Sequence, residues 1–435
     1  MGPDSDFGTI AAAVATAKAG DTVTVAAGTY AERIRIGVPL TLLGEGWPVI
    51  DGGGEGHVIE ASAPVHLEGF VIRGSGSAVE KEHAGVIVRD GPGTRIVRNR
   101  LEDVFYGVYL KGSPGSLVQG NVIEGKPFEL PRRGDGIRLW YSSGTRVSEN
   151  VVRTTRDVVI YFSDSLLVSD NVIEDGRYGL HYMYSNHNAF ERNRFDGNKV
   201  GAFLMYSADI RLSENVFANS TGVTGMGLGM KDTDAVEASE NLIVGNVIGI
   251  HLDNSPRSTT DRNTFIDNLL LANGAGVRLL PSVRGNSFEG NDFVNNRSPV
   301  ILAGGAGPDV ATRNRWADNY WGSYAGFDQD GNGTGDTPFV HARLADELLS
   351  RYPALGLFAM SPALGVLEMV GRFFPLLQPE PILIDSSPRI DSRQLARAAG
   401  PQVGSRPSIR QALLWITLAA ATGGALWRVA RRRPA

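Results

Sequence analysis

Asparagine followed two residues later by a large apolar residue recurs along the chain at intervals near 22 residues. About fourteen residues before most of these asparagines, a glycine opens an alternating apolar run, as in "GIRL", "GLHY" and "GIHL". Two or three short strands per repeat, separated by Gly and Asn, predict a right-handed parallel β-helix. The predicted column of corner asparagines is Asn99, Asn121, Asn150, Asn171, Asn193, Asn215, Asn241, Asn263, Asn291 and Asn314.

Two other folds fit this spacing less well. A leucine-rich repeat would show a Leu-x-x-Leu-x-Leu frame, which the sequence lacks. A β-sandwich would have this periodicity only by chance. Asparagine suits the sharp corner of a β-helix because it tolerates the left-handed backbone conformation, and stacked copies can hydrogen-bond to one another. The prediction is therefore an all-β solenoid with rungs of about 22 residues.

Strand alternation assigns the residues before each asparagine to two faces. Positions 13 and 11 before the asparagine are almost all apolar and are predicted to point inward: Ile137 and Leu139, Val158 and Ile160, Leu180 and Tyr182, Ala202 and Leu204, Leu228 and Met230, Ile250 and Leu252. Positions 12 and 10 are predicted to point outward: Arg138 and Trp140, Val159 and Tyr161, His181 and Met183, Phe203 and Met205, Gly229 and Lys231, His251 and Asp253.

The outward positions bring three soft donors together. His181 and Met183 share one strand face about 6.6 Å apart, and Met205 lies one rung away, about 4.8 Å from Met183. Imidazole and thioether ligands together suit Cu(I). The outward aromatic residues Trp140, Tyr161 and Phe203 extend this patch. Three interpretations stay open: a copper site, a surface that docks another protein, and packing against a loop such as "GKPFELPRRG".

Both ends of the solenoid need caps, because an open end exposes unpaired strand edges. A helix is predicted from residue 9 to residue 18 at the front, and the segment from Asp318 onward is predicted to close the back. We assign residues 1–340 to the β-helix and residues 341–377, which have helical apolar spacing, to a capping or partner-binding segment. Residues 378–408 are predicted to form a polar linker.

Residues 409–430 contain the uncharged run "ALLWITLAAATGGALW", and residues 431–435 form a basic tail. This pattern predicts a transmembrane helix with a cytoplasmic tail, which places the β-helix outside the cytoplasm. The alternative is a helix that lies on a surface. The amino-terminal "MGPDSDFGTIAAAV" shows no basic patch followed by an apolar run, although this orientation calls for an export signal.

The segment "FDQDGNGTGDTPF" has oxygen ligands at alternating positions: Asp328, Asp330, Asn332, Thr334 and Asp336. This spacing is similar to that of a calcium-binding loop. The closing glutamate is missing, since Phe339 occupies its position. A structural calcium site and a metal-free turn rich in Asx residues are both open.

Composition narrows the classes of partner and chemistry. The net charge of −5, with 20% charged residues, gives no basic field for nucleic acid. The absence of cysteine excludes disulfides and thiolate metal ligands. Many β-helices are enzymes acting on acidic polysaccharides, which use paired acids on the outward strand face. Asp135 and Asp157 are the candidate acid pair, but each could equally be a turn residue.

The order of four segments resembles that of the NosD-type accessory proteins of nitrous oxide reductase, over residues 8–390. The segments are "GLHYMYSNHNAF", "GAFLMYS", "NYWGSYAGFDQDGNGTGDTPF" and "LLSRYPALGLFAMSPALGVLEMVGRFFP". His181, Met183 and Met205 lie in the first two. The family usually has a cleaved signal peptide, which is not visible here.

The resemblance implies a non-enzymatic periplasmic maturation factor. Such a protein would work with an ABC-type ATPase and permease, receive Cu(I) from a copper chaperone and help build the copper centres of nitrous oxide reductase. A carbohydrate-active β-helix enzyme (lyase, hydrolase or epimerase) is the alternative.

Overall fold

The computed structural model describes residues 7–307, 309–342 and 381–394, together with the single residues 352 and 366. Within these residues the strands coil into a right-handed parallel β-helix with three long sheets. Strands of successive rungs pair in parallel, so each rung contributes one strand to each sheet. The predicted fold class is confirmed.

The bounds of the strands follow the repeat. The first sheet contains Thr22–Val25, Leu40–Gly44, Val65–Glu68, Arg95–Val97, Leu117–Gln119, Arg146–Ser148, Leu167–Ser169, Asn188–Glu191, Ala208–Ser213, Asp234–Ser239, Asn263–Ile266, Asn286–Glu289 and Arg315–Ala317. The second contains Thr29–Tyr30, Val49–Asp51, Val71–Arg73, Arg100–Val104, Val122–Gly125, Val151–Arg153, Val172–Glu174, Arg194–Asp196, Val216–Ala218, Leu242–Val244, Leu269–Leu271, Asp292–Val294 and Tyr320–Trp321. The third contains Ile34–Ile36, Ile59–Ala61, Ala84–Arg89, Tyr106–Lys111, Ile137–Trp140, Asp157–Tyr161, Tyr178–Met183, Val200–Met205, Met226–Lys231, Ile248–Asp253, Ala275–Leu279 and Ser298–Leu302.

The core is a continuous apolar column inside the three sheets. All the strand positions predicted to point inward are buried, from Ile137 to Leu252. Aromatic side chains stack along the column, as Phe265 does on Phe288 (ring centroids 4.6 Å apart) and Phe288 on Trp316 (4.2 Å). Since each rung buries its apolar side chains against its neighbours, the rungs stabilise one another.

The corner asparagines form a hydrogen-bonded ladder. After the first member, the side-chain oxygen of each one accepts from the backbone N–H and the amide of the asparagine one rung earlier, as Asn171 does from Asn150 at 3.0 and 2.9 Å. The ladder runs through Asn99, Asn121, Asn150, Asn171, Asn193, Asn215, Asn241, Asn268, Asn291 and Asn319.

The prediction was wrong for two members of the column. Asn263 and Asn314 belong to a separate ladder, in which Asn286 joins them. Asn268 and Asn319, five residues further on, occupy the predicted column instead. Spacing alone could not separate the two ladders, because two corners of the same rung carry asparagine and the loops between them vary in length.

The front of the solenoid is closed by a helix at Ile10–Thr16, within the predicted range. Thr9 caps it by accepting a hydrogen bond from the Ala12 N–H (3.1 Å), and Glu32 accepts from the N–H groups of Ile10 and Ala11. Both contacts satisfy amides that a helix leaves free at its first turn. Ile10 and Val14 are buried in the core, so the helix plugs the open end. The other helical turns described are Leu130–Arg132 and Asp309–Thr312.

The back of the solenoid is closed by residues from two distant parts of the chain. Phe339–His341 pairs in antiparallel fashion with Leu383–Asp385, and the Phe339 ring stacks on Trp321 at 4.5 Å. Arg389, almost fully buried, contacts Asp292 at 2.6 Å. Residues 381–394 lie in the segment expected to be a linker. They pack against the solenoid instead, because they carry buried apolar and ion-pairing side chains that the polar composition of the whole segment concealed.

Other expected segments fall largely outside the described residues. These are the helical segment 341–377, apart from its first two residues and the single residues 352 and 366, the transmembrane helix 409–430 and the basic tail 431–435. No described helix has the length and apolar character needed to cross a bilayer.

Candidate functional site on the outer face of the third sheet

The two outward methionines meet on neighbouring strands. Met183 and Met205 pair directly in the parallel register, and Tyr161 pairs with Met183 on the other side. Both methionines are half-buried. Their thioethers are therefore presented side by side on the outer face of the third sheet, as the sequence predicts. We call Met183 and Met205 the methionine pair.

Next to the methionine pair runs a stack of aromatic side chains, two exposed and two half-buried, which we call the aromatic ladder: Tyr141, Phe162, Tyr184 and Tyr206. Successive ring centroids are 4.9, 5.2 and 5.2 Å apart, with nearly parallel planes. Each residue has a positive φ, between 50° and 52°. Tyr141 and Tyr184 are 58% and 45% exposed. Because each ring covers the faces of its neighbours, the ladder presents mainly ring edges to solvent.

Sequence reasoning missed the aromatic ladder, although a signal was present. The four rungs read "WYS", "YFS", "MYS" and "MYS", each with an aromatic residue at the corner just before a serine. The serine points inward and its hydroxyl bonds to the preceding rung, as the Ser163 hydroxyl accepts from the Ser142 N–H at 2.9 Å. The sharp turn that this requires forces the preceding residue into the left-handed region and turns its side chain outward.

The three residues predicted to dock a partner lie in different surroundings. The Trp140 ring centroid lies 5.8 Å from that of Tyr161 and 5.3 Å from that of Phe162, so Trp140 borders the aromatic ladder. Phe128, from the loop "GKPFELPRRG", packs beside Trp140 against a buried group that includes Tyr106 and Tyr109. The loop thus covers one end of the patch.

Phe203 lies flat on the sheet. A side chain at Gly229 would clash with the Phe203 ring, with the added Cβ 2.1 Å from it. The same ring contacts Tyr178 at 6.1 Å. Phe203 therefore fills a notch in the sheet rather than projecting from it, and Tyr161 is likewise half-buried.

His181 contacts a network of charged side chains. Its Nδ1 lies 3.4 Å from Oδ2 of Asp157, and its side chain is 17% exposed. Arg177 donates to Asp157 from Nε at 3.1 Å, and also from Nη2. Burial, the largest single effect, raises the pKa of Asp157, but the hydrogen bonds from His181 and Arg177 together outweigh it and leave the pKa lowered. Asp157 is therefore ionised at neutral pH.

Asp135 extends the network by one rung. It contacts Arg138 at 2.8 Å and Arg156 at 2.9 Å, and its side chain has no exposed surface. Burial raises the pKa of Asp135, although the two arginines act in the opposite direction. The two aspartates, which the sequence offered either as a possible acid pair or as turn residues, thus belong to one buried ionic network. Burial also raises the pKa of Tyr161 to about 12.

His251 was expected to point outward and is nevertheless buried. It is 7% exposed, and its Nδ1 accepts a hydrogen bond from Nε of Arg278 at 2.9 Å. Burial, reinforced by the positive charge of Arg278, lowers the pKa of His251 to about 3. His251 is therefore neutral at physiological pH and lies three rungs from His181.

A polar cavity of about 510 Å³ lies on the same sheet near the front of the solenoid. Its described lining consists of Arg33, Ile34, Arg35, Gly56, His57, Glu60, Lys81 and His83. Burial lowers the pKa of both histidines. No methionine is among these lining residues, so the cavity lacks the thioether donors that select Cu(I).

The segment expected to bind calcium forms a hydrogen-bonded loop. Asp328 accepts from the N–H groups of Gly331 and Gly333, each at 2.8 Å, and Asp336 accepts from the Gln329 N–H at 2.7 Å. Asn332 accepts from the Thr334 N–H, and Asp330 contacts the Asn332 amide. Its carboxylates thus face the loop's own backbone.

Across the described residues, no group of three or more His, Asp or Glu side chains is arranged to hold a metal ion. Thioether sulfur is not among those donors, so this finding does not bear on the methionine pair, which stays a predicted copper site. The calcium site and the metal-free turn both stay predictions.

The fold and this surface define a β-helix protein with an open methionine and aromatic face, and comparison with known proteins identifies its family. The profile of a family described as "Periplasmic copper-binding protein (NosD)" matches residues 119–326. The "Probable ABC transporter binding protein NosD" of Stutzerimonas stutzeri is 31% identical over 390 residues, covering 83% of this chain and 85% of that protein. The protein of the same description from Pseudomonas aeruginosa is 29% identical over 413 residues, covering 84% and 87%. The chain belongs to the NosD family.

Solved structures of similar fold are more distant. The A-module of the Azotobacter vinelandii mannuronan C-5 epimerase AlgE6 is 14% identical with a TM-score of 0.42, covering 73% of this chain and 94% of the module. PfbA, a surface adhesin of Streptococcus pneumoniae, is 11% identical with a TM-score of 0.40, covering 68% and 82%. At these values neither similarity carries an inference about activity.

Proposed function

We propose that this protein is a periplasmic copper-handling factor that acts with an ABC-type ATPase and permease in the maturation of nitrous oxide reductase. It takes Cu(I) from a copper chaperone and passes it on towards the reductase. The description of the family as periplasmic and copper-binding, and of the relatives as ABC transporter binding proteins, supports this role.

The observation that carries the proposal is the pairing of Met183 with Met205, two residues along the strand from His181. Thioethers bind Cu(I) in preference to hard divalent ions, because both the sulfur and the ion are soft. Half-burial of the two side chains keeps the site close to solvent, which a carrier needs for transfer. The aromatic ladder beside it offers an apolar surface on which a partner can dock.

Anaerobic Cu(I) titration of the full chain against a competing chelator tests the proposal. We expect one tightly bound Cu(I) in the wild type and at least a tenfold loss of affinity in the double variant Met183→Leu/Met205→Leu. Leucine nearly conserves the volume of methionine, so packing is little changed. Met230→Leu is the matched control, since Met230 is fully buried on the inner face of the next rung.

Three results would count against the proposal. Absence of competitive binding in the wild type would leave the face as a docking scaffold without copper. Equal Cu(I) affinity in the double variant would mean that the ion binds at another site. Cells carrying the double variant should also produce nitrous oxide reductase with less copper, and full copper content would contradict the proposed role in maturation.

The alternative, a β-helix enzyme acting on acidic polysaccharide, is less well supported by the acid pair. Catalysis at a sugar requires a carboxyl group that reaches the substrate. The side chains of Asp135 and Asp157 are 0% and 1% exposed, and both are held by arginines. A transfer of protons to a bound sugar would require this network to open.

A further inference from the structure

The His181 imidazole is held by groups on several sides. Tyr178 stacks on the ring, with centroids 4.7 Å apart and planes inclined by 28°. Tyr161 approaches edge-on, with its hydroxyl 3.1 Å from Nδ1 and 3.0 Å from Nε2. The carboxylate of Asp157 lies 3.4 Å from Nδ1. The ring therefore has one defined orientation on the outer face of the sheet.

The Tyr161 hydroxyl leaves the ring edge free. An oxygen equally close to both nitrogens cannot lie in the imidazole plane, because it would overlap with Cε1 between them. It must therefore lie over the face of the ring, where it uses neither of the in-plane directions along which the nitrogens bond. Asp157 faces Nδ1. This arrangement favours the tautomer that has its proton on Nδ1 and its in-plane lone pair on Nε2.

Asp157 is itself rigidly placed. Arg177 binds its carboxylate through two nitrogens, and the Tyr178 N–H donates to Oδ1, with the nitrogen 3.2 Å from the oxygen. Its side chain is 1% exposed. A carboxylate that receives the second ring N–H is the usual neighbour of a metal-binding histidine, because it fixes the tautomer and the orientation of the ring.

We propose that Asp157 is a positioning residue that holds His181 with its Nε2 lone pair free for Cu(I), beside the methionine pair. This inference rests on the proposed copper function. The tautomer that it requires, however, is a property of the metal-free protein. Asp157 does not contact the ion. It acts through the ring that it orients.

The first test needs no copper. The full chain, labelled with ¹⁵N at its seven histidines, is measured by long-range proton–nitrogen correlation, and the His181 signals are assigned with a His181→Gln variant. We expect the proton on Nδ1 in the wild type and a loss of this preference in Asp157→Asn. A proton on Nε2 in the wild type would overturn the proposal, whatever the outcome of copper binding.

The second test uses Cu(I) alone as the probe. Asp157→Asn should weaken Cu(I) binding about 10- to 100-fold, and X-ray absorption should show the loss of imidazole scattering while the sulfur ligands remain. In a His181→Gln background the same substitution should have no further effect, since Asp157 acts only through His181.

Asp135→Asn is the matched control, because Asp135 is an equally buried carboxylate of the same network but is bound by Arg138 and Arg156 rather than by His181. It should leave Cu(I) affinity and the His181 tautomer unchanged. Equal losses in Asp135→Asn and Asp157→Asn would mean that the network merely stabilises the sheet and would overturn the proposal. Unchanged affinity in Asp157→Asn, with copper bound by the wild type, would overturn it and leave the proposed function intact.

Discussion

The carboxylate of Asp385 ends the asparagine ladder at Asn319. One of its oxygens accepts from the Asn319 N–H at 3.2 Å, the Asn319 amide at 3.0 Å and the Trp321 indole N–H at 3.0 Å. In the earlier rungs of the ladder the next asparagine supplies this acceptor. A residue 66 positions away in the chain thus supplies the acceptor that the last rung lacks, in a fully buried position.

Removing this carboxylate should destabilise the back end of the solenoid. Asp385→Ala leaves three buried donors without their acceptor, which costs roughly 1–3 kcal/mol for each group left unpaired and is partly relieved by water. We expect the free energy of unfolding, measured by urea titration, to fall by about 3 kcal/mol. Hydrogen exchange should accelerate first in Arg315–Ala317 and Tyr320–Trp321.

Asp391→Ala is the matched control, because Asp391 is exposed in the same segment. It should change the stability by less than about 0.5 kcal/mol. An equally stable Asp385→Ala protein would mean that the cap is unnecessary and that the last rung is satisfied by solvent.

His251 should make the protein less stable in mild acid. Its pKa is lowered from 6.5 to about 3, so between these values the unfolded chain binds a proton that the folded chain does not. The contribution of neutral His251 to the free energy of unfolding is therefore fully present above about pH 6.5. It is lost as the pH falls towards 3, with a slope of up to about 1.4 kcal/mol per pH unit.

Urea titrations at several pH values, compared between the wild type and His251→Gln, measure this contribution. Glutamine can still accept the hydrogen bond from Arg278 but does not titrate, so the variant should lose less stability than the wild type between pH 6.5 and pH 4. Parallel curves for wild type and His251→Gln would contradict the burial argument.

The loop at Asp328 should hold its shape without an ion. Backbone N–H groups bonded to the Asp328 carboxylate lower its pKa, so it is ionised and already receives the donors that it needs. We expect millimolar Ca²⁺ or a chelator to leave the thermal midpoint unchanged. Asp328→Ala should speed the hydrogen exchange of Gly331 and Gly333.

Glu124→Ala, at a half-exposed position on the second sheet, provides a control for general effects of removing a surface acid. A rise of the midpoint in Ca²⁺ that disappears in Asp328→Asn would support the calcium site instead. In that case the carboxylate would have to turn from the backbone to the ion.

The sequence by itself determined the architecture of this protein. A repeat of about 22 residues, with corner asparagines and alternating apolar positions, requires a solenoid, because no single rung can bury its apolar face alone. The same alternation correctly paired Met183 with Met205 and buried the column from Ile137 to Leu252. These properties are local and periodic, and they can be read from spacing.

Only the tertiary structure decided which side chains meet across variable loops and distant segments. It placed Asn268 and Asn319, rather than Asn263 and Asn314, in the ladder. It brought Asp385 to the last rung. It also buried Asp135 and Asp157 in a charged network beside His181. Hydrogen-bond register and burial select these partners, and both depend on three-dimensional contacts between residues far apart in the chain. A periodic pattern places a residue on a face, but the groups packed around it decide its charge and its partners.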